Sequence, residues 1–165
     1  MRLNALSRED ASEALTRCCG AQHWIAGMLA CRPFASRAAV FVAAAEVWAK
    51  LDPEDYLEAF SHHPEIGANL DELRKKFAAT ADLSRAEQGA AVGASEETLI
   101  ALRRGNQAYR ARFGYSFIVC ATGKSAQQML DLLEARLPNP AERELGIAAA
   151  EQAQITRLRL EKLGP

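Results

Sequence analysis

An excess of either charge is missing from this chain of 165 residues: 20 Lys and Arg stand against 21 Asp and Glu, a formal net charge of −1. That balance removes any electrostatic reason to expect nucleic acid or an anionic membrane surface as a partner. It still leaves room for a local cationic pocket that takes a small anion. Long hydrophobic runs are missing as well. The longest, from Ala38 up to Glu46 and from Phe117 to Ala121, fall far short of the roughly 20 apolar residues of a membrane span. Cysteine is scarce, and Cys18, Cys19, Cys31 and Cys120 contain no C-x-x-C pair. A bridge between adjacent Cys18 and Cys19 would close a strained ring, so all four are expected to be reduced core thiols in a cytoplasmic protein. The opening Met1–Asn4 leads into a polar, helix-like segment and not a signal-peptide core, and Lys162–Pro165 carries no lipidation or peroxisomal address. Repeats, low-complexity tracts and linkers are lacking too, so the expectation is one domain around one core.

What is present is helix punctuation from end to end. Ser7 caps a first helix with Glu9 and Asp10 in its opening turn, Ala11, Ala14, Leu15 and Cys18 follow at helical spacing, and Gly20 is the expected stop. A second helix runs through Trp24, Ile25, Met28 and Leu29 to near Arg32-Pro33. Ser36 caps an alanine-rich third, from Arg37 to about Lys50. Asp52-Pro53 starts a short helix through Phe60. Beyond His62-His63-Pro64 the pattern predicts a helix around Asn69–Phe77, then a capping box at Ser84 and Glu87 opening a helix through Val92. Glu96–Phe113, closed by Gly114, is the longest mid-chain helix. Ser125 caps one to Leu137, and Asn139-Pro140 starts the last, to about Leu163. Tyr115–Cys120 is the only β-like run, and one strand makes no sheet. The expected fold is therefore all-α: a single-domain bundle of six to nine helices, with an irregular apolar connector near residues 115–121.

Four segments can carry chemistry. In Ser61-His62-His63-Pro64-Glu65-Ile66-Gly67 the proline fixes the backbone beside His63, whose imidazole can move a proton near neutral pH. Adjacent side chains at His62 and His63 point apart and no third ligand is evident, so no metal site is expected. In Ser84-Arg85-Ala86-Glu87-Gln88 a helix N-terminus gathers a hydroxyl, a carboxylate and an amide beside unpaired backbone N–H groups. The run Phe117-Ile118-Val119-Cys120-Ala121 leaves backbone groups that other backbone or a polar planar ligand must satisfy. Arg157 and Arg159 face different ways on one helix, so at most one enters a given pocket. Each segment also has a plainer reading as cap, core or solvated face, and taken singly that reading is the better one.

Taken together, and in this order, they point elsewhere. His63-Pro64-x-Ile66-Gly67, Ser84-x-x-Glu87-Gln88, Asn106-x-x-Tyr109 leading to Phe113-Gly114-Tyr115-x-Phe117-Ile118-Val119-Cys120, and Ile155-x-x-Leu158-Arg159-Leu160 make one series. It resembles the 2-oxo-4-hydroxy-4-carboxy-5-ureidoimidazoline (OHCU) decarboxylase family of ureide metabolism, over nearly the whole chain from Arg32-Pro33-Phe34 onward. The resemblance implies an all-helical fold and conversion of OHCU to (S)-allantoin without a cofactor. It implies that His63 is the catalytic proton donor, with Pro64 beside it at the substrate and Glu87 as the carboxylate working with it. It implies a substrate-binding turn from Ser84 through Arg85, Ala86 and Glu87 to Gln88, and a backbone segment from Phe117 to Ala121 that reads the heterocycle. Arg159 corresponds to a substrate-contacting arginine in the last helix. Relatives often carry arginine where Thr122 stands, so any role of that cation falls here to Arg159 or Lys124. The implied partner is a small anionic ureidoimidazoline, and relatives point to a homodimer.

The chemistry suits those residues. The substrate's carboxylate sits next to a ring carbon in a C=N bond, so it contains its own electron sink and needs no pyridoxal or thiamine. The protein has to orient the ring, place charge and deliver one stereospecific proton. Two rival expectations stand beside this one: a non-catalytic helical interaction module, and an enzyme acting on a related ureido or hydantoin substrate.

Overall fold

The computed structural model describes residues 2–63, 71, 73–75, 77 and 95–164. Every regular element among them is helical: α1 (Arg2–Ala5), α2 (Arg8–Thr16), α3 (Gln22–Ala30), α4 (Arg37–Trp48), α5 (Pro53–Ser61), α6 (Glu96–Phe113), α7 (Ala126–Arg136) and α8 (Ala141–Leu163). The all-α expectation is met. Residues 71, 73–75 and 77, inside the stretch expected to be helical, are helical too. The helix expected from Ser84 through Val92 lies outside the described residues.

The caps expected at Ser7, Ser36 and Ser125 are formed, and Ser95, which the sequence reading did not single out, caps α6. Ser7, Ser36, Ser95 and Ser125 each accept the backbone N–H three residues on, at 3.0–3.2 Å. This satisfies a donor that the first turn of a helix cannot pair internally. At α5 the Asp55 carboxylate reaches back 3.1 Å to the N–H of Asp52. Gly114 closes α6 at φ 81°, a left-handed conformation open to glycine at little cost, with its N–H 2.8 Å from Arg110 O. One stop is misplaced by sequence. Cys18 and Cys19 both donate to Leu15 O, at 2.8 and 2.9 Å, so α2 tightens and ends at Thr16, before Gly20 is reached.

The described residues fall into two compact units. The first comprises Met1–His63, Ile118–Cys120 and Leu145–Pro165; the second comprises Pro64–Phe117 and Ala121–Glu144. In the first, α3 packs on α2, α4 and α5. Trp24, Met28, Leu15 and Leu3 are sealed from solvent, and the two tryptophans still place their indole N–H groups. Trp24 donates to Ala44 O at 3.1 Å and Trp48 to Ala149 O at 3.2 Å. Buried donors with partners are what a polar handle on a large apolar side chain requires. Cys18, Cys19 and Cys120 are buried as expected, but Cys31 is exposed. It is the C-cap residue of α3, one position past the last helical residue, Ala30.

The second unit is organised by the α6–α7 pair, at whose contact a Cβ on Gly105 would come 2.6 Å from Leu133. Its polar centre is the sealed carboxylate of Glu144, which accepts from Tyr109 Oη at 2.5 Å, Arg136 Nε at 2.7 Å and Asn139 Nδ2 at 2.7 Å. The Arg136 guanidinium also lies 4.7 Å from the Phe117 ring centre. Tyr109, Phe113, Tyr115 and Phe117 form an aromatic group around Tyr109 with centroids 4.6–5.8 Å away. The connector is extended and irregular, with Phe117, Ile118, Val119 and Cys120 all buried, as the apolar run predicts.

Candidate active site

His63 closes the turn after α5, its N–H bonded to Phe60 O at 3.1 Å. The imidazole is half-buried and Nε2 lies 2.5 Å from Gln152 Oε1 on α8. Gln152 is wholly buried, and its amide nitrogen donates to Thr156 Oγ1 at 3.1 Å. Thr156 in turn hydrogen-bonds the thiol of Cys19. A line of polar groups thus runs from the imidazole into the core of the first unit.

Burial holds the imidazole below its ordinary pKa of 6.5, the Gln152 hydrogen bond offsets part of that, and the charges of Arg159 and His62 depress it further. Arg159 extends from the same face of α8 and is anchored by a 3.3 Å bond to Cys18 O. Cys18 and Cys19 are pushed by burial up to about 11, so both stay thiols at neutral pH and neither serves as a nucleophile. Arg157 points elsewhere, over the Phe41 ring at 4.8 Å and toward Glu161 at 3.3 Å. As the helical spacing predicts, only one of the two arginines reaches the histidine's surroundings.

Of the connector, Ile118, Val119 and Cys120 belong to the first unit. Glu151, next to Gln152, accepts the N–H of Cys120 at 2.6 Å, which ties this extended backbone to α8. Ala121 O is taken by Lys124 N at 3.1 Å. Thr122 is exposed.

From the expected set, the structure brings Arg159 to His63, and the first unit also contains the Ile118–Cys120 backbone. Phe117 and Ala121 belong to the second unit. Pro64, Ser84, Arg85, Ala86, Glu87 and Gln88 lie outside the described residues. Sequence reading missed Gln152, Thr156 and Glu151. The available signal was spacing: Gln152, Thr156 and Arg159 stand at i, i+4 and i+7, one face of a helix, and two of them are polar yet buried. An apolar cavity of about 220 Å³, lined by Trp24, Phe41, Ala44, Trp48 and Arg157 among others, contains none of the expected residues.

The family model for OHCU decarboxylase matches residues 4–161 of this chain. The chain belongs to the OHCU decarboxylase family. Among its relatives is the uric acid degradation bifunctional protein TTL of Arabidopsis thaliana, 37% identical over 88% of this chain and 45% of that protein. Two Bacillus proteins resemble it as well: the uric acid degradation bifunctional protein of strain TB-90, 26% identical over 99% of this chain, and PucL of Bacillus subtilis, 29% identical over 96%. This OHCU decarboxylase family chain spans less than half the length of each, 45%, 32% and 31% respectively. The crystal structure of OHCU decarboxylase in the presence of (S)-allantoin superposes with a TM-score of 0.75 at 33% identity, covering 92% of this chain and 96% of that one. A structure of (S)-allantoin synthase, 17% identical with a TM-score of 0.68 over 98% of this chain and 52% of that one, shares the fold.

Proposed function

We propose that this chain decarboxylates OHCU to (S)-allantoin, with His63 as the proton donor and Arg159 as the cation that meets the substrate's negative charge. The observation that carries the reading is the pairing on α8 of a buried hydrogen-bond anchor for His63 with an arginine whose charge the imidazole feels. Family membership and the likeness to the solved OHCU decarboxylase support it.

The chemistry needs no cofactor in this proposal. The C–C bond to the carboxylate breaks, its electron pair forms a C=C bond to the neighbouring ring carbon, and the former C=N pair moves onto nitrogen. Carbon dioxide leaves. The ring nitrogen takes up a proton, a second proton adds to that ring carbon on one face, and the hydroxyl loses its proton to become the carbonyl of allantoin, so that one proton is consumed overall. His63 supplies the proton that sets the hand of the product, assistance typically worth ~10²–10⁴-fold. His63 is driven toward its neutral form by burial and by Arg159. An incoming carboxylate neutralises the arginine and favours the imidazolium, so the acid is loaded when substrate binds.

Glu87 as partner of His63, and Pro64 with Ser84 through Gln88 as substrate contacts, complete the proposed site, along with the Phe117–Ala121 backbone and Arg159. We place the enzyme in the cytoplasm, in keeping with cysteines that are present as thiols. No helix among the described residues is long and apolar enough to cross a membrane. A homodimer is proposed from the resemblance, and light scattering tests it.

The deciding experiment adds purified protein to freshly generated OHCU and follows circular dichroism. Accelerated formation of one enantiomer of allantoin is expected. A racemate at the spontaneous rate refutes the proposal.

A further inference from the structure

We propose that His63 gives and takes its proton through Nδ1, and that Gln152 is a positioning residue which keeps the Nε2–H in place throughout. The chemistry rests on the decarboxylase reading; the tautomer itself does not.

The argument starts from the amide. Gln152 is sealed from solvent, so its oxygen and nitrogen must both find partners inside the protein. Its nitrogen donates to Thr156 Oγ1 at 3.1 Å, and Thr156 turns its own hydroxyl to the Cys19 sulfur. That direction leaves only Oε1 for the imidazole, 2.5 Å from Nε2. A carbonyl oxygen can only accept, so Nε2 carries the hydrogen. Turning the amide over would set an N–H against Nε2. The neutral ring would tolerate that, but the imidazolium would then have two donors facing each other. The arrangement observed is the one that suits both protonation states, with Nε2–H held constant and Nδ1 gaining or losing the proton.

The same line of bonds explains a buried polar helix face that packing alone does not call for. Gln152 and Thr156 stand one turn apart on α8, and Cys19 ends the line as a thiol. Among the described residues, the other charged or titratable groups acting on the ring are Arg159 on α8 and His62 on its own turn.

Long-range proton–nitrogen correlation on full-length protein labelled at histidine reads the tautomer directly, with His63→Gln assigning the signals. Above its titration, wild-type His63 is expected in the Nε2–H form. Gln152→Leu is expected to give mixed tautomers and to lower kcat about tenfold, the loss of one good hydrogen bond, with KM little changed. Gln152→Glu keeps an acceptor and adds a negative charge, so kcat recovers while the alkaline limb of its pH profile and the His63 titration both move up. A wild-type ring protonated on Nδ1, or a Gln152→Leu variant whose tautomer and titration match wild type, overturns the proposal. Protein that shows the Nε2–H form on Gln152 yet turns over no OHCU upholds the assignment and refutes the decarboxylase reading instead.

Discussion

Gly20 and His62 lie so close that no side chain fits between them: a Cβ built on Gly20 would come 2.3 Å from the His62 ring and 2.8 Å from its Cβ. The ring could swing aside, but the His62 Cβ is fixed by the backbone that also carries His63. This glycine is therefore needed for a close approach and not for the helix stop its position suggests. Gly20→Ala is expected to cost about 1–3 kcal/mol of stability by overpacking. It should also lower turnover on the order of tenfold to a hundredfold by shifting the turn that carries His63, the proposed proton donor. Urea denaturation and steady-state rates check both effects. Wild-type values on both counts would mean the turn has room to spare.

Arg159 acts on His63 through charge while its guanidinium is anchored on Cys18 O. Arg159→Gln removes the cation, and the sign follows directly: the positive neighbour lowers the imidazole pKa, so its loss raises it. The His63 titration should move upward in the free protein. KM for the anionic substrate should rise roughly tenfold to a hundredfold, the worth of one charged hydrogen bond, with a smaller change in kcat. Histidine resonances followed against pH, with kinetics on the same variant, test the pair of claims.

Burial of His63 links stability to pH. Its folded pKa lies below the ordinary 6.5, so as pH falls through about 6.5 the unfolded chain takes up the proton first. Stability contributed by the neutral ring is present above 6.5, is lost as pH falls from 6.5 through the folded value, and changes no further below it. Denaturation midpoints measured between pH 7.5 and about 4.5 should therefore fall more steeply for wild type than for His63→Gln. Parallel curves would show that the ring titrates alike in both states.

In the second unit, Arg136 and Glu144 form a buried ion pair at 2.6 Å, with side-chain exposures of 9% and 0%. Arg136→Met leaves the carboxylate without its countercharge and is expected to destabilise by roughly 3–5 kcal/mol. The double variant Arg136→Met with Glu144→Leu should be less damaging than Arg136→Met alone, because no charge stays buried. Thermal or urea unfolding of the three proteins decides it.

Much of the fold was legible because helix ends are local events. Ser36, Asp52-Pro53, Gly114 and Ser125 mark boundaries through bonds made within three or four residues, and the structure puts helix ends where they stand. Cys31 and Gly20 show the limit. One is exposed and the other spares room for a ring 42 positions away, and neither fact is written in its neighbours.

By itself, then, the order of residues determined the helices, the buried connector, the divergence of Arg157 from Arg159 and the family, since each depends on spacing along the chain. Only tertiary structure decided which groups meet His63. Gln152 stands 89 residues away and Cys18, which anchors Arg159, 141 residues from it. Contacts of that reach are set by how the chain after α2 and the turn after α5 come against α8, and a buried amide shows what it bonds only once the space around it has closed.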